Sequence, residues 1–270
     1  MTKRPTRSAK RPSSLVLYAG ILFLTVACSA ERETVRLQFG AVWQGATIDC
    51  NDGDISLTDL RFFVSDLALV DKLGELHPIA LLEDDRWQQS NIALVDLEDG
   101  QGRCLNGTSD RHATLNGTAD RADFVELRFS VGVPFASNHA NPLRASAPLD
   151  DAAMHWHWRS GYKFLRAGVS AGDDSTWIHL GSTGCAGTVQ NIESCRSPNR
   201  VKVSLPVVST TSRIGVDLSV LFSGVDLANG EPSDCSSGPA ETDCAPMFEA
   251  LGLPFGEHAA LDSSVFTVLP

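Results

Sequence analysis

Short apolar runs alternate along this chain with clusters of Gly, Asp, Asn and Pro, and long stretches at helical spacing are scarce. That rhythm predicts an all-β domain. Val35, Leu37, Phe39, Ala41 and Trp43 fall at every second position, the pattern of a half-buried strand. Residues 57–70 predict a second strand, leading to a turn at Asp71-Lys72-Leu73-Gly74. Further strands are expected at 92–97, 124–133, 176–180, 200–206, 215–220 and 264–269. Asn106-Gly107-Thr108 and Asn116-Gly117-Thr118 read as hairpin turns. No internal repeat or long linker divides the chain. The expected architecture is therefore a single-domain β-sandwich over residues 34–270, with long disulfide-stapled loops.

One stretch departs from this pattern. Met154-His155-Trp156-His157-Trp158, running on to Tyr162 and Phe164, concentrates two of the chain's five Trp and two of its seven His. A plain core strand would use Val, Ile and Leu. If the stretch is extended, Met154, Trp156 and Trp158 line one face while His155 and His157 line the other.

At the N-terminus, Lys3, Arg4, Arg7, Lys10 and Arg11 precede an apolar run from Leu15 to Ala27, the layout of an export signal. The run is too short for a comfortable transmembrane helix. Leu24-Thr25-Val26-Ala27-Cys28 fits a relaxed lipobox, so residues 1–27 are expected to be a lipoprotein-type signal peptide and Cys28 the lipidated residue. The expected location is the periplasm or the outer membrane, with membrane contact through the lipid anchor only. Ordinary cleavage near Ala27 or Ala30 would instead release a soluble periplasmic protein.

The formal net charge is −11, and losing the basic signal segment makes the chain more acidic still. Such acidity argues against nucleic acid as a partner, because a phosphate backbone needs cations. Six further cysteines remain: Cys50, Cys104, Cys185, Cys195, Cys235 and Cys244. An even count in an exported chain points to disulfides. Of the fifteen pairings that six cysteines allow, the economical one joins Cys185 to Cys195 and Cys235 to Cys244, each across a short loop. Cys50 and Cys104 are then left as a long-range clasp. Residues 223–247 read as a surface loop stapled by Cys235–Cys244.

Imidazole suits Cu, Zn and Ni, and histidines from separate strands and loops can converge on a site that no short motif reveals. The candidates are His139, His155, His157 and His179, with His77, His112 and His258 read as surface. No hydrolase, zinc-protease or phosphate-binding motif occurs, and no catalytic base stands out. The chain is therefore not expected to be an enzyme. A surface module that binds glycan or protein through exposed Trp43, Trp87, Trp156 or Trp158 is the alternative.

The order of several blocks resembles a known family. They run from Cys50 through Asp59-Leu60-Arg61-Phe62-Phe63-Val64-Ser65, Trp87-Gln88-Gln89 and Leu94-Val95-Asp96-Leu97-Glu98-Asp99-Gly100 to Cys104. Gly132-Val133-Pro134-Phe135, Asn138-His139 and Met154-x-Trp156-x-Trp158-x-x-Gly161-Tyr162-Lys163-Phe164 follow. His179-Leu180-Gly181-Ser182-Thr183-Gly184-Cys185, Cys195 and Pro198-Asn199 complete the series. Together these are similar to the MbnP-like proteins, also called metallo-mystery pair system four-Cys motif proteins, over roughly residues 34–222.

The resemblance implies a copper-binding β-sandwich whose motif cysteines Cys50, Cys104, Cys185 and Cys195 form disulfides. It implies as partner a di-haem cytochrome c peroxidase of the MbnH or MauG kind, which oxidises a Trp to kynurenine. On matching positions, His139 and His179 become the first-choice copper ligands, for Cu(I) or Cu(II). Trp156 or Trp158 becomes the oxidised residue. Met154 is expected to pack beside the two Trp. His155 and His157 lie outside the expected pattern, either as additional ligands or as surface decoration.

Overall fold

The alternation of the first strand is realised residue by residue. Val35, Leu37, Phe39 and Ala41 are buried while Thr34, Arg36 and Gln38 are exposed. The computed structural model describes residues 1–2, 31–189, 191–207, 209–227, 234–257 and 263–270. Cys28 and nearly all of the expected signal peptide lie outside the described residues, as does His258. Glu31–Pro270 forms one compact unit.

The strands are β1 (Arg32–Trp43), β2 (Ala46–Thr47), β3 (Ser56–Asp71), β4 (Leu76–Pro78), β5 (Ala80–Leu81), β6 (Gln88–Gln89), β7 (Ile92–Asp96), β8 (Thr114–Asp120) and β9 (Phe124–Val131). After the one-turn helix α1 (Phe135–Asn138) come β10 (His155–His157), β11 (Gly161–Ala171), β12 (Asp174–Gly181), β13 (Thr183–Thr188), β14 (Asn191–Ser197), β15 (Val201–Pro206) and β16 (Thr211–Asp217). Helices α2 (Leu218–Leu221) and α3 (Cys244–Ala250) precede the last strand, β17 (Phe266–Leu269).

One sheet runs β17-β16-β1-β8-β5, with β1 and β16 parallel. The other is built on β3, which pairs with β11, β7, β9 and β4; β12 extends it beyond β11 and β15 beyond β9. Between the sheets Phe39, Phe62, Phe129 and Phe266 meet edge to face, with ring centroids 5.4–5.9 Å apart. That is a favourable geometry for their quadrupoles. The result is an all-β sandwich.

β3 is buried on both faces. Leu60, Phe62 and Val64 point into the sandwich. Phe63, on the opposite face, joins Ile92, Leu94, Val133, Met154, Tyr162 and Phe164 in a second, smaller core. Arg61 points the same way as Phe63 and is only 2% exposed. Its guanidinium pairs with both oxygens of Asp59 at 2.9 and 2.8 Å and lies 3.7 Å from the buried Glu98. Arg166 of β11 approaches Asp59 at 2.6 Å. Asp96 is buried beside Glu98, and burial and then the Glu98 charge push its pKa up to about 8.

Three disulfides form, Cys50–Cys104, Cys185–Cys195 and Cys235–Cys244, which is the economical pairing. The segment 223–247 is not simply a stapled surface loop. Cys235 and Cys244 are both fully buried, and the Cys235 backbone bonds with Trp177 and His179 of β12. Cys244 opens α3, whose Met247 and Phe248 enter the main core. That apolar helix face is what draws the segment inward.

Two other local expectations change. Asn116-Gly117-Thr118 lies inside β8 rather than in a turn, and a side chain at Gly117 would strike Ile79 and Ala80 alongside it at 2.6–2.8 Å. The expected strand at 215–220 ends at Asp217, whose carboxylate accepts the backbone N–H groups of Ser219 and Val220 and starts α2.

The stretch from Met154 to Phe164 is a tight hairpin, not one extended strand. Only His155–His157 is strand, with a register irregularity against β11, and turns flank it on both sides. The hairpin is held by Asn138, which is 2% exposed. Asn138 Nδ2 donates to the Ser160 carbonyl at 3.0 Å, and its Oδ1 accepts the Tyr162 N–H at 2.8 Å. The approach is close enough that a Cβ on Gly161 (φ +80°) would sit 2.3 Å from Asn138 oxygens.

Two predictions follow from this packing. Gly161→Ala combines an unfavourable φ with a backbone clash, so it should destabilise the protein by more than about 1 kcal/mol in chemical denaturation. Asp96 is protonated in the folded state, so its contribution is complete at pH below its ordinary value of 3.8 and is lost as pH rises to about 8. Asp96→Asn should therefore flatten the fall in melting temperature across that window, and an unchanged slope would contradict the assignment.

Candidate metal centre

His139 follows α1 directly, so the Asn138 clasp that locks the hairpin also places this imidazole. Its Nε2 lies 3.1 Å from Asn138 Nδ2 and 3.4 Å from Cys195 Sγ, and the Phe135 ring leans on it at 4.7 Å. Its Nδ1 is buried with no hydrogen-bond partner among the described residues. An unsatisfied buried polar atom costs about 1–3 kcal/mol, and a bound metal or ligand would relieve that. Burial also lowers the His139 pKa, which keeps the ring neutral and able to donate a lone pair. Cys185 and Cys195 flank His139, but both are held in a disulfide and offer no thiolate.

His179 is set by strand register. Thr176, Ile178 and Leu180 of β12 are buried, while Trp177 and His179 share the opposite, half-buried face. The two rings are 4.3 Å apart. Arg166 is the cross-strand neighbour of His179 on β11. Burial, and after it the Arg166 and Lys163 charges, push the His179 pKa down to about 4.

The hairpin sends its two Trp to different places, so they do not share the single face that alternation predicts. Trp156 lies over Gly181, where a Cβ would come within 2.9 Å of its ring, and its centroid is 6.4 Å from that of His179. Trp158 instead lines a cavity of about 490 Å³ together with His139 and His155. The bulge between His155 and His157, and the turn that starts at Trp158, break the alternation. His157 is exposed, with its ring 5.5 Å from Trp158. Met154 packs in the smaller core with Tyr162 and Phe63 rather than beside the Trp.

Thus the hairpin joins two groups, His179 with Trp156 and Trp177, and His139 with His155 and Trp158. Trp177 was not among the sequence candidates, although its position two residues before His179 on one strand puts both side chains on the same face. Two histidines read as surface are instead partly buried. His112 stacks on Trp87 at 5.2 Å and its Nδ1 bonds the Leu94 carbonyl. His77 pairs with Asp71 at 3.2 Å, and Glu75 stands nearby as a further oxygen donor.

The comparisons with known proteins agree on one family. No match is found among curated proteins. The solved structure of MbnP from Methylosinus trichosporium superimposes with a TM-score of 0.75 at 26% identity, covering 88% of this chain and 98% of that one. The MbnP family profile matches residues 32–237, which include both histidine groups and all six cysteines outside the signal region except Cys244. The chain belongs to the MbnP family.

Proposed function

We propose that this protein is an exported copper-binding protein and not itself an enzyme, with His139 and His179 as its imidazole donors. The observation that carries the reading is the placement of the β10 hairpin, whose Trp156 approaches His179 while Trp158 shares a cavity with His139. Membership of a family linked to copper supports the choice of metal. Bound copper would supply a soft-to-borderline centre that neutral nitrogen donors suit. The residues do the rest. Asn138 orients His139, burial and then the Arg166 and Lys163 charges hold His179 neutral, and the disulfide Cys185–Cys195 walls the His139 side.

On the same reading a di-haem peroxidase is the partner, and it converts one Trp of the hairpin to kynurenine, whose aniline-type nitrogen would join the two imidazoles. Trp156 is the better placed of the two because its ring already stands at His179. The lipid anchor at Cys28 and a periplasmic or outer-membrane location belong to this proposal. A glycan-stacking role fits less well, since Trp43, Trp87, Trp156, Trp158 and Trp177 are all half-buried.

Purified from its own cells, the protein should carry copper and the mass change of one Trp-to-kynurenine conversion, mapped by peptide mass spectrometry to Trp156. Replacing both His139 and His179 by Ala should abolish copper retention in equilibrium dialysis against a chelator. Full retention in that double variant would remove the ligand assignment. In the metal-free protein, an NMR titration should find His179 protonating only near pH 4. Since its folded pKa is depressed, its contribution to stability is full above the ordinary value of 6.5 and is lost as pH falls toward about 4.

A further inference from the structure

His155 belongs to neither the paired ligands nor the core. It is half-buried, its ring meets Tyr162 edge-on at 5.4 Å, and its backbone is registered to Tyr162 on β11. No hydrogen bond to its ring nitrogens is found among the described residues. His155 lines a cavity of about 490 Å³ with His139 and Trp158. Leu143 is 93% exposed and Val189 is 69% exposed at its rim. The cavity is shared with His139, whose Nδ1 is buried with no hydrogen-bond partner among the described residues. Two imidazoles, one of them with an unsatisfied buried nitrogen, thus line one cavity.

We infer that His155 is a transit ligand, the donor that first takes the metal ion from solvent or from a carrier and delivers it through this cavity to His139. The inference rests on the copper-binding reading and adds the route by which the site is loaded. Ligand exchange between two imidazoles moves the ion without changing its oxidation state. A half-buried donor suits transfer because it holds the ion without completing its coordination. His157 supplies the internal comparison. It is the same residue type two positions along the strand, but it is exposed and does not line the cavity.

The test uses the full chain as isolated from its native cells and stripped of metal, with Cu(I) delivered from a weak chelator in a stopped-flow experiment. His155→Ala should slow loading by about tenfold, the lower end of what losing a supporting group does to a metal site. Stoichiometry and equilibrium affinity should be retained, and His157→Ala should load at the normal rate. An unchanged loading rate in His155→Ala overturns the inference while leaving the copper reading intact. So does a loss of affinity expressed wholly in faster release, which would make His155 a resident ligand. An intact chain that takes up no Cu(I) overturns the copper reading and this inference together.

Discussion

The burial of β3 on both of its faces is the constraint on which the rest of the molecule depends. A strand in a sandwich ordinarily has one face in the core and one in water. Here Phe63 and Arg61 on the outer side must be covered as fully as Leu60 and Phe62 on the inner side. The cover comes from the long excursion between β9 and β11, which contributes Val133 and Met154, and from Tyr162 and Phe164 at the start of β11. The hairpin with its Trp and His residues is therefore not an appended loop. It is the outer half of a second small core, and its position is as fixed as that core.

Covering Arg61 has an electrostatic consequence. A buried guanidinium must be paired, and Asp59 and Glu98 do this. Asp59 is also taken by Arg166, so the positive charge on this face is not fully offset. Lys163, whose ammonium donates to the Ala153 carbonyl at 3.0 Å, adds to it. The ion cluster that supports β3 therefore also lowers the proton affinity of His179. Scaffold and site share the same charges.

The alternation in β1 and the near-continuous apolar run in β3 were readable from sequence because burial on one or two faces leaves a period-two or unbroken pattern. The disulfides followed from spacing, since short loops favour neighbours. The hairpin was misread for a reason that spacing does not carry. Its shape is decided by Asn138 reaching across to Ser160 and Tyr162, a contact between residues more than twenty positions apart. Without that clasp the stretch would have no reason to bulge, and Trp156 and Trp158 would lie on one face. The inward placement of Cys235 and Cys244 was hidden for a similar cause. The Ser- and Gly-rich composition of 223–247 looks like a loop, whereas the burial is driven by α3 just beyond it.

The local charge also bears on which ion such a site would favour. The chain as a whole is acidic, yet the charged groups that act on His179 are mainly cationic: Arg166, Lys163 and Arg61, opposed by Asp59. Acidic surface attracts cations of every kind and does not distinguish among them. A cationic neighbourhood does distinguish, because its repulsion acts twice as strongly on a divalent ion as on a monovalent one at the same distance. Hard divalent ions also need oxygen donors, and the donors gathered here are imidazole nitrogens. Arg166, which after burial does most to lower the His179 pKa, would disfavour a divalent ion beside His179 more than a monovalent one. Selectivity would come from the positive side chains beneath the ligands, not from the acidic surface around them.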